Sequence, residues 1–330
     1  MLADIVIGIQ HGDEAKGKVT HYLCKYKKYT HVLRFNGGCN AGHTIYHNGQ
    51  KFVTHHIPAG VFYGVKSIIG PGCVVNPAQF FRELEELKAG GIDVENKIFI
   101  AKNTHVITNS HLEEENNETK IGTTKRGNGP AYRDKYARVG IQAEAIPSLK
   151  PYLIDLYEEF HGDKTIKVLC EGAQGYSLDV DWGDYPYVTS SHCGVAGALL
   201  NAIPHTWVRD VWGVGKVYET YVGAKQFEPI EGSSFFAALR DVGEEYGATT
   251  GRPRQCNHLN LDTMRRTLRV NGVDKLVLNK VDVLRTLGSW KLVNNGELIT
   301  FNTEKEFLGF ISKDLNDVEI FFSDSKHHLE

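Results

Sequence analysis

Gly8-Ile9-Gln10-His11-Gly12-Asp13-Glu14-Ala15-Lys16-Gly17-Lys18-Val19 is the stretch on which the fold turns. An apolar run over residues 3–9 leads straight into it, and a helix-compatible stretch through His21-Tyr22-Leu23 follows. Strand, glycine loop, helix, with Gly12-x4-Gly17-Lys18 in the middle, is the skeleton of a phosphate-cradling loop. Glycines let backbone N–H groups turn toward phosphate oxygens, and the helix N-terminus adds partial positive charge. Two features set it apart from an ordinary nucleoside triphosphatase. Val19 stands where a magnesium-ligating hydroxyl is expected, and Asp13 and Glu14 put carboxylates into a loop meant for anions. Carboxylates there repel phosphate unless a cation or a proton transfer justifies them, which makes Asp13 a candidate magnesium ligand or base. Alone, the loop fits a plain strand–turn–helix junction equally well.

Working outward, residues 31–35 and 275–279 read as strands, and 97–101 and 167–170 as buried strands. Asn76-Pro77 reads as a helix start, with Asn as N-cap and Pro at the first helical position. Phe80, Phe81, Leu84 and Leu87 follow at helical spacing, and Gly90-Gly91 ends the run. Residues 262–270 form a second amphipathic pattern closed by Asn271-Gly272. Strands alternating with helices predict an α/β fold, a large mostly parallel sheet flanked by helices and resembling the P-loop NTPases. No repeat, charge block or linker divides the chain. The expectation is a single domain over 1–328 with long ligand-binding loops, the final Leu329-Glu330 being compatible with a cloning scar.

Composition narrows the function. With 37 Lys+Arg against 40 Asp+Glu in 330 residues, the net charge is −3. Phosphate backbones select a basic surface, so nucleic acid is not the expected partner. No apolar run reaches the length of a membrane span, and the N-terminus reads as a strand rather than a signal peptide. Six cysteines lie singly, with no C-x-x-C pair, which suits a reducing cytoplasm better than a disulfide framework. Thirty-four glycines beside ten prolines point to many tight ligand loops.

Five further loops carry chemistry. Asn279-Lys280-Val281-Asp282 follows the strand at 275–279, at the carboxyl end where open α/β sheets bind ligands. There the Asp282 carboxylate can accept two parallel hydrogen bonds from the ring and exocyclic N–H groups of guanine, the Lys280 stem can pack on the base, and Asn279 can hold neighbouring loops. Adenine lacks that donor pair and would leave the carboxylate unpaired. With the loop at Gly12–Lys18, this makes GTP the favoured nucleotide. The stretch from Arg34 to Thr44 adds Asn40, Gly42 and a histidine, His43, suited to donating to developing phosphoryl charge. Thr249, Thr250, Arg252 and Arg254 sit on a glycine-hinged loop whose arginine forks suit carboxylate or phosphate. Thr123-Thr124-Lys125-Arg126 suits another phosphate, and Gln174 presents an amide to a base. Each loop alone reads as a polar surface turn; together they imply a site for several anionic substrates.

The chain resembles the adenylosuccinate synthetase family through G-D-E-A-K-G-K, G-G-C-N-A-G-H-T, I-G-T-T-K-R-G-N-G-P-A-Y-R-D-K-Y-A-R, E-G-A-Q-G, Y-P-Y-V-T-S-S, G-A-T-T-G-R-P-R and N-K-V-D, from about Asp4 to Leu284. The resemblance implies a GTP- and magnesium-dependent ligase that joins L-aspartate to IMP through a 6-phosphoryl intermediate. It casts Asp13 as base and, with Gly42, as magnesium ligand, and His43 and Gln174 as catalytic. Gly12, Glu14, Lys16, Gly17, Lys18, Gly42, His43, Thr44, Lys280 and Asp282 would meet GTP. Asn40, Thr124, Gln174 and Thr189 would hold the acceptor nucleotide, with Arg138 reaching it across a homodimer interface. Thr249, Thr250, Arg252 and Arg254 would clamp aspartate.

Departures from the family pattern are concentrated. His11 replaces tryptophan, and Ala15 replaces glycine, which is tolerable where the backbone keeps φ negative. Tyr221 replaces an arginine, Lys225-Gln226 replaces Gly-Pro, Gln255 replaces an arginine, and Asn257-His258 replaces Gly-Trp. The Tyr221 region bears on the acceptor nucleotide, so dGMP is the alternative acceptor. Viral relatives that use dGMP are expected to lose the carboxylate at position 13, and its presence here favours IMP. A GTP-binding regulatory protein without turnover is the non-enzymatic alternative.

Overall fold

The computed structural model describes residues 1–162, 165–230, 232–247 and 251–324. Nine strands make the central sheet: β1 (Leu2–Gly8), β2 (His31–Arg34), β3 (Lys66–Ile69), β4 (Ile98–Ala101), β5 (Leu153–Ile154), β6 (Lys167–Glu171), β7 (Val208–Lys216), β8 (Lys275–Asn279) and β9 (Glu319–Ser323). Their order is β9-β8-β7-β1-β6-β2-β3-β4-β5. Every neighbouring pair runs parallel. The expected parallel α/β architecture is what the chain adopts.

Burial on both faces explains why β1 reads as an unbroken apolar run rather than an alternating one. Ala3, Ile5 and Ile7 enter the largest core cluster, while Val6 enters another. That second cluster is closed by α1 (Lys16–Tyr26), whose Val19, Leu23 and Cys24 pack against Val32, Leu169, Val214 and Val277. Val19 therefore serves the core. The helix α2 (Pro77–Ala89) starts as its sequence predicts, the Asn76 side chain accepting from Gln79 N. The helix over Leu261–Asn271 is capped by Asn260 and ends in a left-handed Gly272.

Strand order fixes where ligands can sit. From β1 the chain moves outward through β2 to β5, returns to insert β6 beside β1, and then builds β7 to β9 on the other flank. The reversal leaves the carboxyl end of β1 at the switch point of the sheet, the usual place for a ligand crevice. A smaller four-stranded sheet, Tyr218–Tyr221, Gln255–Asn260, Trp290–Asn294 and Glu297–Phe301 in that order, lies beyond β7. No helix among the described residues is long and apolar enough to cross a membrane.

Candidate active site

A cavity of about 690 Å³ opens at the carboxyl end of β1. It is lined by Gly12, Asp13, Glu14, Lys16, Gly17 and Lys18 from the first loop, and by Asn40, Gly42, His43 and Thr44 from the second. Thr124, Gln174, Thr189, Arg252, Arg254, Lys280 and Asp282 complete the set expected there. Thr249 and Thr250 lie outside the described residues. Arg138 is exposed at the end of the helix Asn128–Ala137 and does not line the cavity.

The phosphate loop is built from left-handed residues: Gly12 at φ 88°, Asp13 at 60° and Ala15 at 69°. Such a run turns successive N–H groups to one side, an anion-binding concavity. The negative φ expected of Ala15 is overturned; the turn imposes its geometry and the alanine bears the strain. Glu14 also corrects the expectation that its carboxylate faces an anion. Its side chain is wholly buried beneath the loop, where Oε1 accepts from Gly12 N (2.8 Å) and Gln10 N (3.2 Å) and Oε2 accepts from Lys16 Nζ (2.8 Å). Glu14 thus turns its carboxylate away from the anion concavity and folds the loop by accepting the N–H groups of Gln10 and Gly12. Close packing beneath explains Gly175: a Cβ there would lie 2.2 Å from the Gln10 carbonyl.

Asp13 faces the cavity, 2.9 Å from Arg254 Nε. Arg254 in turn pairs with the buried Glu245 (2.5 Å), which also takes Lys216 Nζ (3.2 Å) and the Tyr218 hydroxyl (2.6 Å). Burial alone would raise Glu245; Lys216, Arg254 and Lys280 outweigh it and hold the carboxyl down to about 2. A fixed anion therefore anchors the arginine beside Asp13. Nothing in the local sequence marks Glu245, because Lys216 and Tyr218 lie 29 and 27 residues before it in the chain.

His43 begins the hairpin His43–His47/Gln50–Thr54 and is buried against α1. Its Nδ1–H donates to Glu171 (2.5 Å), while Arg34 donates to Nε2 (3.2 Å). Burial, reinforced by Arg34, pushes the imidazole down to about 4 against the opposing pull of Glu171, so the ring is neutral at pH 7. Both nitrogens are engaged as folded here, and a bond from His43 to a phosphoryl oxygen requires Arg34 to release Nε2 and a proton to be placed on it. Arg34 and Glu171, 2.8 Å apart, are site residues that the sequence reading quoted within loops without giving them a role.

Beside Lys280 and Asp282, Asn279 Nδ2 donates to the Glu14 carbonyl (2.9 Å) and reaches the Gly215 carbonyl (3.4 Å). It holds neighbouring loops together, as its motif suggested. Lys280 is left-handed (φ 73°), and its Nζ donates to the Gly243 carbonyl (2.6 Å). Burial lowers Lys18 to about 8, with Asp282 opposing the shift, and Lys18 donates to Ser323 Oγ at the end of β9. Across the cavity Gln174, also left-handed, donates to Asn40 Oδ1 (3.0 Å). Asp179, Asp181 and His192 form a separate group of metal-ligand type, away from the cavity lining. There Asp179 already accepts from the N–H groups of Asp181, Trp182 and Cys193, so it shapes a loop.

The adenylosuccinate synthetase family model matches residues 5–156 and 143–320. This chain belongs to the adenylosuccinate synthetase family. The enzyme of that name from Caldanaerobacter subterraneus is 36% identical over 359 aligned positions, covering 91% of this chain and 83% of the relative. That from Thermodesulfovibrio yellowstonii is 37% identical over 330 positions, covering 85% and 77%. The fully ligated adenylosuccinate synthetase of Plasmodium falciparum superposes with a TM-score of 0.86 at 26% identity, covering 98% of this chain and 97% of that one. A succinoaminodeoxyadenylate synthetase of cyanophage S-2L, bound to dGMP and dATP, has the same fold, with a TM-score of 0.72 at 20% identity and 95% and 99% coverage. The chain is a GTP-dependent ligase of purine nucleotide biosynthesis. The family match extends past Leu284, where the sequence resemblance stopped, to residue 320.

Proposed function

We propose that this synthetase joins L-aspartate to IMP at the expense of GTP, giving adenylosuccinate, GDP and phosphate. The observation that carries the reading is the convergence of Asp13, Gln174, Thr124, Thr189 and Arg252 with the guanine-reading pair Lys280 and Asp282 in one cavity. Asp13 takes the proton from the purine ring nitrogen, and the freed 6-oxygen attacks the γ-phosphorus of GTP, releasing GDP. The amine of aspartate then displaces phosphate from carbon 6 and loses a proton. Phosphorylation is needed because the bare 6-oxygen is a poor leaving group. Asn40 and Gln174 hold the purine, Thr124 and Thr189 its phosphate. Arg252 and Arg254, with Thr249 and Thr250, take the aspartate carboxylates by charge-assisted bonds. His43 is held for the transferring phosphoryl group.

Magnesium is the expected metal. Asp13 has a carboxylate on the cavity and Gly42 lines it too, and hard oxygen donors beside phosphates suit this ion. Bound there, it would spread charge over the phosphoryl oxygens. A homodimer is part of the reading: exposed Arg138 is flanked by Tyr136 (64% exposed), Val139 (69%) and Ile141 (42%), an apolar setting suited to an interface. Six buried free cysteines fit a reducing cytoplasm.

The second reading, dGMP as acceptor, is favoured by one observation: Tyr221, in place of an arginine, sets a buried ring at the cavity wall. An acceptor screen decides. GTP, magnesium and aspartate with IMP are expected to give the adenylosuccinate absorbance change, which Asp13→Ala abolishes. Phosphate release with dGMP and none with IMP overturns the first reading.

A further inference from the structure

Five of the departures from the family pattern, His11, Tyr221, Lys225, Gln255 and Asn257, meet in space. His11, on the phosphate loop, is buried and packs edge-on against Phe227 (4.8 Å between ring centres) and Tyr221 (5.7 Å). Its Nε2–H donates to Asp184 Oδ2 (3.2 Å), and Lys225 Nζ donates to the same oxygen (2.7 Å). The His11 Nδ1 is buried without a hydrogen-bond partner among the described residues, so Asp184 is the one polar tie of the ring. Tyr221 stands directly opposite Gln255 across the antiparallel pair, and Glu219 opposite Asn257. Gln255 fixes the intervening loop, accepting from Phe227 N (2.8 Å) and Glu228 N (3.0 Å) and donating to the Lys225 carbonyl (2.7 Å). Asn257 donates to the Phe227 carbonyl (3.1 Å).

This loop is where three acceptor-side segments join. Ala224 N donates to the Ile121 carbonyl (3.1 Å), which seats the turn carrying Thr124. Asp184 lies five residues before Thr189, whose N–H donates to the Leu178 carbonyl (2.8 Å). His11 lies two residues before Asp13. Tyr187, Val188, Tyr221 and Val222 line the cavity between them. One carboxylate oxygen, held by His11 and Lys225, therefore ties the segments that carry Asp13 and Thr189 to the loop whose Ala224 seats the turn carrying Thr124.

We propose that the His11–Asp184–Lys225 junction is a positioning device for the acceptor nucleotide, with His11 as the positioning residue that sets the acceptor end of the cavity and leaves the GTP end alone. The inference rests on the reading of that end as the acceptor side. The GTP-contacting residues are held by other contacts, Glu14 with Lys16 beneath the phosphate loop and Asn279 beside Lys280, and none of these touches Asp184.

Steady-state kinetics on the full chain test it, with IMP and dGMP each varied against GTP. His11→Ala and Asp184→Ala are expected to raise the acceptor KM about tenfold while the GTP KM moves less than about twofold. His11→Gln keeps a donor toward Asp184 and should recover most of the loss. Combining His11→Ala with Asp184→Ala should add little, since both break one junction. If the His11 variants are insoluble, Lys225→Ala, on the more open side, should shift the acceptor KM in the same selective way. An equal rise for GTP and acceptor, or an unchanged acceptor KM, overturns the proposal while leaving the ligase reading intact. A wild-type protein that turns over neither nucleotide overturns the acceptor reading, and this inference with it.

Discussion

Ala15 carries a methyl group through a turn that glycine makes without strain. At φ 69° and ψ 37° it is left-handed, immediately before the first residue of α1, and its side chain is exposed, so no packing compensates. A left-handed L-residue costs about 1–2 kcal/mol, whereas glycine adds about 0.5–1 kcal/mol of unfolded-state entropy. Ala15→Gly is therefore expected to stabilise the protein by about 0.5–1 kcal/mol, read as a higher urea midpoint at unchanged slope. A lower midpoint would mean that the turn relaxes around the alanine. The neighbouring Glu14 shows the complementary lesson. Its charge looked misplaced in an anion loop, but its oxygens accept N–H groups that the same turn leaves pointing inward.

Strand ends, rather than whole strands, make the site. Asn279 closes β8 and bonds the carbonyls of Glu14 and Gly215, so one amide joins the phosphate loop to the ends of β7 and β8. Asn279→Ala leaves buried carbonyls without their donor, at a cost of about 1–3 kcal/mol. The GTP KM should rise about tenfold while the acceptor KM holds, measured by varying each nucleotide in turn. Equal effects on both nucleotides would count against a role confined to the guanine end. At this scale the sequence was readable where signals are local. The apolar run at 3–9, the Asn76-Pro77 start and the Asn271-Gly272 stop all correspond to elements found. What could not be read is decided by pairing over long separations: β6 inserting between β1 and β2, or Arg34 meeting Glu171 at a separation of 137 residues. His11 was legible as a departure, while its tie to Asp184, 173 positions away, was not.

For the molecule as a whole, the exposed Arg138 is the site residue that stands apart. Every other described residue expected to contact a ligand lines one cavity, whereas Arg138 sits left-handed (φ 64°) on a surface with Tyr136, Val139 and Ile141. The residues beyond Leu284 complete the small sheet and supply β9, whose Ser323 accepts from Lys18, so they belong to the same body as the phosphate loop. An arginine so placed can serve a cavity only if a second copy supplies it, and two-fold pairing would give each cavity its partner's arginine. Subunit mixing tests this. Asp13→Ala and Arg138→Ala proteins should each be nearly inactive. Mixed by refolding at equal amounts, half of the dimers carry one chain of each kind. In such a dimer one cavity bears both defects and the other bears neither, so the mixture should recover about a quarter of wild-type activity. No recovery, from a mixture shown to contain hybrid dimers, would mean that Arg138 acts on its own chain, and a fully active Arg138→Ala protein would mean that it plays no part in the reaction.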